Sequence, residues 1–273
     1  ACRAPLSFPG GHRAQQLYKQ ALDLATDADG QRLPIAGNAL MGLGEIYREW
    51  NTLDVAEDAF KEGIALTERW SEVSALDGYI GLTQLHYERG DTESAEASLR
   101  RAETIAEHFD TTDIDDLLVA LLRARINVHR AAAGDLASAA AVAQWLEERQ
   151  LDATSLPRED HSYTVQHLQK YELLVLARWL HIQGQHDTAL NVLQTVLPRF
   201  VARDRPGMIL EVLALQAVIL SALGREPEAL DTLKQALNNA APEGYLRTFL
   251  DEGPPLRRLL EQVTSASEKR HTY

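Results

Sequence analysis

One short string recurs five times along the chain, as NTLDVA at 51–56, GDTESA at 90–95, GDLASA at 134–139, GQHDTA at 184–189 and GREPEA at 224–229. Each copy begins with Gly or Asn, which tolerate a left-handed backbone and so close a helix, and carries Ala five positions later, where a second helix can approach the first closely. Apolar residues three and four apart surround every copy and no run alternates with period two, so the chain reads as all-α. The period predicts helices over 13–27, 34–49, 52–68, 72–89, 92–107, 113–132, 135–149, 162–183, 186–201, 206–223 and 226–239, with shorter ones near 243–251 and 254–264. Pro34, Pro206 and Pro227 fall at or near first turns, where a missing N–H is harmless. Pro198 lies inside its segment and is expected to end or kink it.

Five such turns define five helical hairpins. Four residues after each Ala stand Phe60, Leu99, Ala143, Leu193 and Leu233, and seven after it Gly63, Ala102, Leu146, Val196 and Ala236, which together form an expected buried face. Leu43, Leu82, Ile126, Leu176 and Gln216 take the matching place on the preceding helices. This pattern resembles the tetratricopeptide repeat, which implies a helical-hairpin solenoid, an α-α superhelix whose first helices line a concave surface. The turn-to-turn spacings of 39, 44, 50 and 40 residues exceed the usual ~34. Connections are therefore lengthened, most clearly in LDATSLPREDHSY at 151–163. Ala14, Tyr18 and Ala21 match a second helix with no first helix ahead of them. The expected organisation is a partial repeat over 1–33, about five hairpins over 34–240, and a capping or linking segment over 241–273.

Charge narrows the function. Forty acidic against 27 basic residues give a formal net charge of -13 and no broad positive field, so nucleic acid and anionic membrane are poor partners for this segment. The single cysteine, Cys2, cannot pair within the chain, and neither a secretory h-region nor an 18-residue apolar run occurs, which points to the cytoplasm and away from a membrane. No Gly-Lys dipeptide exists for a Walker loop, no HExxH spacing for zinc and no GxSxG elbow for an acyl nucleophile. GLGEIY at 42–47 lies inside a helix and reads as packing, DADG at 27–30 as a turn, and TTDIDD at 111–116 as carboxylates at the positive end of a helix. No enzyme activity, cofactor or metal is expected of the segment.

A solenoid acts through its concave face. Counting back from each turn places Asn38, Met41, Glu45 and Arg48 on that face from the first full repeat, then Asp77, Gln84 and Tyr87, then Arg125, and finally Tyr171, Arg178 and His181. Arg, Asn, Gln, Asp and aromatic side chains together suit a polar small molecule or a peptide.

Two strings go beyond a generic repeat. LMGLGEIYREWNTLDVAEDAFKEGIAL at 40–66 carries an aromatic, Glu-Trp-Asn and Leu-Asp-x-Ala, and GYLRTFLDEGPPLRRLLEQV at 244–263 carries Arg-Thr-Phe, Asp-Glu-Gly and Pro. Both resemble the repeat region of MalT-like, LuxR-type bacterial transcription regulators. The resemblance implies a segment that senses a ligand and takes part in oligomerisation or protein interaction. ATP and DNA would then be handled by flanking domains outside this sequence. A small-molecule inducer, self-association and a hinge or cap at 244–263 are the expectations. The alternative is a tetratricopeptide scaffold that binds a peptide or protein partner without an inducer.

Overall fold

The structure, a computed structural model, describes residues 11–109, 111–152, 154, 163–201 and 206–270, with side chains described outside 163–170 and 266–270. Among the described residues it contains thirteen α-helices and no strand beyond an isolated bridge between Thr26 and Arg32. They are α1 (Gly11–Leu24), α2 (Ala36–Glu49), α3 (Leu53–Thr67), α4 (Leu76–Glu88), α5 (Thr92–His108), α6 (Asp113–Ala132), α7 (Leu136–Glu148), α8 (Tyr163–Ile182), α9 (His186–Val201), α10 (Pro206–Ala222), α11 (Glu226–Ala240), α12 (Arg247–Leu250) and α13 (Gly253–Arg270). This is the all-α architecture that the periodicity predicts, in the tetratricopeptide-like hairpins that the resemblance implies. No helix among the described residues is long and apolar enough to cross a membrane. Cys2 and most of the loop at 151–163 lie outside the described residues.

The recurring string does the same physical work each time. Asn51, Gly90, Gly134, Gly184 and Gly224 all have positive φ, between 58° and 96°. At each, two backbone N–H groups turn back on the last carbonyls of the helix, as where Asp91 N donates to His86 O at 2.9 Å and Gly90 N to Tyr87 O at 3.0 Å. The same pair recurs at Asn51–Thr52, Gly134–Asp135, Gly184–Gln185 and Gly224–Arg225, so every one of these helix ends satisfies its orphan carbonyls locally. The next helix starts at once, with Asp91 and Asp135 capping it by accepting from Ser94 N and from Ala137 and Ser138 N. DADG forms a turn in which Asp27 Oδ1 accepts from Asp29 N and Gln31 N. TTDIDD begins α6 as a capping box, Thr112 and Asp115 bonding reciprocally.

The chain divides into two compact units. Unit 1 runs through Leu122 and includes Glu243–Arg247, and unit 2 comprises Arg123–Pro242 and the chain from Thr248. The division falls inside α6. In unit 1, Phe60 is fully buried with Met41, Ile64, Leu82 and Leu85 around it. Gly44 of α2 and Gly81 of α4 press against its ring, since a Cβ on either would fall within contact distance of the ring carbons. Gly37 and Gly63 let α2 and α3 meet backbone to backbone, a Cβ at Gly37 standing 2.6 Å from the Gly63 carbonyl oxygen. Unit 2 is built around α10, apolar on all sides, with Leu210, Val212, Leu213 and Leu215 buried. Helix α13 packs on α10 and α11, and Phe249, Leu256 and Leu259 are buried, whereas Leu246 is not.

Two local expectations change. In the third repeat Ser138 and Val142 are buried in place of Ala139 and Ala143, while Leu146 is buried as expected, so the buried face of α7 is shifted by one residue over its first two turns. Ser138 can be buried because its hydroxyl donates to Asp135 Oδ2 at 2.7 Å. Helix α9 continues through Pro198 to Val201. Proline removes one bond near the end of that helix, and Phe200, buried against Tyr171 at a ring distance of 6.1 Å, anchors the turn beyond it.

Candidate functional site

Each unit carries a network of charges on its first helices. In unit 1, Glu45 and Arg48 of α2 sit one turn apart, and Glu45 Oε2 accepts from Arg48 Nε at 3.3 Å and Nη2 at 3.2 Å. The same guanidinium bonds Glu88 of α4, whose side chain is 6% exposed, and Arg247 approaches the other Glu88 oxygen at 3.4 Å. Gly81, two turns earlier on α4, leaves room beside Glu45 Oε1. Tyr18 of α1 faces this network. Burial, reinforced by the charges of Asp77 and Glu45, pushes its hydroxyl up to about 12. The side-chain oxygen of Gln84, on the same face of α4, is enclosed and accepts no hydrogen bond among the described residues.

In unit 2 the centre is Arg178 of α8, only 6% exposed. It grips Glu252 with two parallel bonds, Nη1 to Oε2 at 2.9 Å and Nη2 to Oε1 at 2.6 Å, and donates to Glu211 of α10 at 3.0 Å. Arg125 of α6 reaches the same Glu211 oxygen at 3.4 Å. Burial disfavours the Arg178 charge, but the two carboxylates more than offset it and hold the guanidinium ionised. His129, one turn after Arg125, is driven down to about 3, by burial first and then by Arg178 and Arg125, so it is a neutral imidazole.

The expected groove residues divide accordingly. Glu45, Arg48 and Asp77 come together in unit 1, with Gln84 one turn before Glu88 on α4, and Arg125 and Arg178 come together in unit 2 through Glu211. Asn38 is exposed on the first turn of α2 and Tyr87 is half-buried on α4. Met41 and Tyr171 belong to the core: Met41 is 3% exposed against Ile64, and Tyr171 is 8% exposed against Phe200. His181 faces the α8–α9 turn, its Nδ1 3.0 Å from Nδ1 of His186. Counting from the turns misses Glu88, His129, Glu211, Arg247 and Glu252. Glu211 was findable, as the only charged residue in PGMILEVLALQAVILSA, where a lone carboxylate must have a partner.

A further contact in unit 1 joins the two unusual strings. Trp50 Nε1 donates to the Glu243 carbonyl at 2.9 Å, Leu246 N donates to the Glu49 carbonyl at 3.2 Å, and Arg247 Nη1 donates to Asn51 Oδ1 at 3.2 Å. His12 lies against the Trp50 ring at a centroid distance of 4.8 Å.

The profile of the family described as the MalT-like TPR region matches residues 11–266. The chain belongs to that family. The TPR region is 24% identical over 250 residues to the HTH-type transcriptional regulator MalT of Serratia proteamaculans (strain 568), an alignment covering 92% of this chain and 26% of that protein. It is 24% identical over 264 residues to the HTH-type transcriptional regulator MalT of Vibrio campbellii (strain ATCC BAA-1116), covering 93% and 27%. The counterpart in Yersinia enterocolitica serotype O:8 is 23% identical over 250 residues, covering 92% and 26%. The TPR region thus spans about a quarter of the length of these curated relatives.

Proposed function

We propose that this TPR region is the signal-sensing and self-associating segment of a MalT-like, LuxR-type transcription regulator, working in the cytoplasm, with ATP and DNA contacts made elsewhere in the longer protein. A small polar inducer binds the α2–α4 face of unit 1. The observation that carries this reading is the enclosed, unpartnered Gln84 oxygen on α4, one turn before Glu88 of the Glu45–Arg48–Glu88 network. A buried acceptor without a donor is costly, and a ligand hydroxyl or N–H supplies one. Arg48 and Glu45 offer a paired donor and acceptor on α2, which suits a neutral, hydroxyl-bearing molecule better than a strongly charged one. Binding switches the regulator only if the inducer prefers one of two states of the full protein. With a formal charge of -13 on each chain, self-association is repelled at low ionic strength and strengthens as salt screens it.

The test is a thermal-shift screen of polar metabolites on this chain. A ligand at a hundredfold excess over Kd stabilises the fold by about 2.7 kcal/mol. Gln84→Leu and Arg48→Gln should each abolish the shift of an authentic ligand, and a shift that survives both places the binding surface elsewhere. A peptide partner is the second reading, favoured by the chain's own Glu243–Arg247 segment, which unit 1 already holds by backbone and side-chain bonds. Peptide-array hits in the absence of any metabolite response would favour it.

A further inference from the structure

We infer that the turn at Glu49–Asn51 together with Glu88 forms a docking site for a Gly-and-Arg-bearing peptide segment, and that Glu243–Arg247 occupies it as a detachable clasp. The contacts are those of recognition rather than of a core. None of the five clasp residues is buried, and Gly244 and Leu246 are exposed. The hold is polar: Trp50 Nε1 on the Glu243 carbonyl at 2.9 Å, His12 N on the Glu243 carboxylate at 3.3 Å, Leu246 N on the Glu49 carbonyl at 3.2 Å, and Arg247 on Asn51 and Glu88 at 3.2 and 3.4 Å. Tyr245 is the one aromatic side chain of the segment and is only half-buried, its hydroxyl raised by burial and by the charges of Glu49 and Glu243; with no fully buried apolar anchor, the hold on five ordered residues is weaker than that of a core element.

The site selects its peptide by shape and by charge. Gly244 has φ 73°, and a Cβ there would stand 3.1 Å from Trp50 Nε1, so only glycine passes the indole face in this conformation. Three residues on, the guanidinium of Arg247 finds an amide oxygen and a carboxylate. Asn51 supplies that oxygen where the four other turns have Gly, residues that close a left-handed turn more easily but present no acceptor. Glu88 links the clasp to the α2–α4 face, because it also bonds Arg48. A ligand that draws Arg48 or Glu88 toward itself therefore changes the hold on Arg247, and by reciprocity the clasp changes the affinity of that ligand. This last coupling rests on the groove reading proposed above; the docking itself does not.

The experiment labels the full chain with 5-fluorotryptophan and follows the Trp50 fluorine resonance, assigned with Trp50→Phe, together with exchange of the Trp50 indole N–H and of the backbone amides. Gly244→Ala is expected to move the Trp50 resonance to an undocked position and to speed indole exchange at least tenfold, while amides of α2 and α3 stay protected. Asn51→Gly removes the acceptor of Arg247 but keeps the turn, and is expected to give a smaller displacement in the same direction with no loss of Tm. An unmoved Trp50 resonance in both variants overturns the assignment of the site. Loss of α2 and α3 protection in step with Trp50 overturns detachability, because the clasp would then be part of the core. Neither readout needs an inducer, so failure of the metabolite screen and failure of the clasp are separate results.

Discussion

Replacing Arg178 by Met leaves a side chain of similar length in unit 2 and removes one buried charge from between two carboxylates. Arg178 makes three charge-assisted bonds, at 2.9, 2.6 and 3.0 Å, two of them to Glu252, whose side chain is 5% exposed. Summing such bonds at their individual worth of about 1.5–3 kcal/mol overshoots, because much of that energy offsets the desolvation of the ions themselves. Breaking a buried pair by deleting one partner costs about 3–5 kcal/mol, and the lower end applies here because Glu211 keeps Arg125 at 3.4 Å. The strain should therefore sit on Glu252. Native-state hydrogen exchange is the assay, since it resolves α8 and α10 of unit 2 from α2 and α3 of unit 1. A loss of about 3 kcal/mol speeds exchange by global opening of unit 2 roughly 150-fold. Adding Glu252→Leu to Arg178→Met removes the stranded carboxylate and should recover at least half of the loss. A single variant that loses less than about 1 kcal/mol, or a double variant as damaged as the two singles combined, would refute the view that the pair is an interdependent buried unit.

Acid should weaken unit 2 before the carboxylates begin to titrate. His129 titrates at about 3 in the folded chain and at 6.5 when unfolded, so the unfolded state binds the proton more readily; stability is full above pH 6.5 and falls by about 1.4 kcal/mol per pH unit below it. His181, pushed down to about 4 by burial, His186 and Arg178, steepens the same slope. His129→Gln should remove one proton's share of that slope between pH 6.5 and 5, and an unchanged slope in chemical denaturation would show that the imidazole is not held neutral. In unit 1, Gly81→Ala gains about 1 kcal/mol of helix propensity but drives a methyl into the Phe60 ring. Overpacking costs about 1–3 kcal/mol, and Phe60 is fully buried with Gly44 pressing on it as well. A net loss of about 1–2 kcal/mol is expected, read as a lower Tm, and a higher Tm would mean that the ring has room to withdraw.

Much of the fold is legible because its determinants are local. A residue that accepts positive φ, with two backbone N–H groups turned back on the helix it ends, closes one helix and opens the next whatever the rest of the chain does, and all five predicted turns obey this. Where a different residue does the same work, the signal disappears. Gln150 also has φ 55°, with Leu151 N bonded back to Leu146 O, yet glutamine is not a turn residue and nothing announces it. The third repeat reads one position out for a related reason. Ser138 and Ala139 are both small, and the choice between them falls to the Asp135 cap, which makes a buried hydroxyl affordable.

The sites are less legible, because their partners lie far apart in the chain. Arg178 and Glu211 betray themselves as isolated charges among aliphatic residues, but that Arg178 is answered by Glu252 is a matter of tertiary approach. Both unusual strings, around residues 50 and 245, stand out by composition alone, and neither names the other. Their contact explains features of each that repeat packing does not. Gly244 must lack a side chain because the Trp50 indole occupies the space beside it, and Trp50 sits where it does because its N–H has the Glu243 carbonyl to bond. Asn51 departs from glycine at the one turn of the five where an acceptor is used, by Arg247. Each departure costs a little in local backbone preference and is offset by a bond to a residue nearly two hundred positions away. The two strings are therefore one site written in two places, and a change in either should be read against the other.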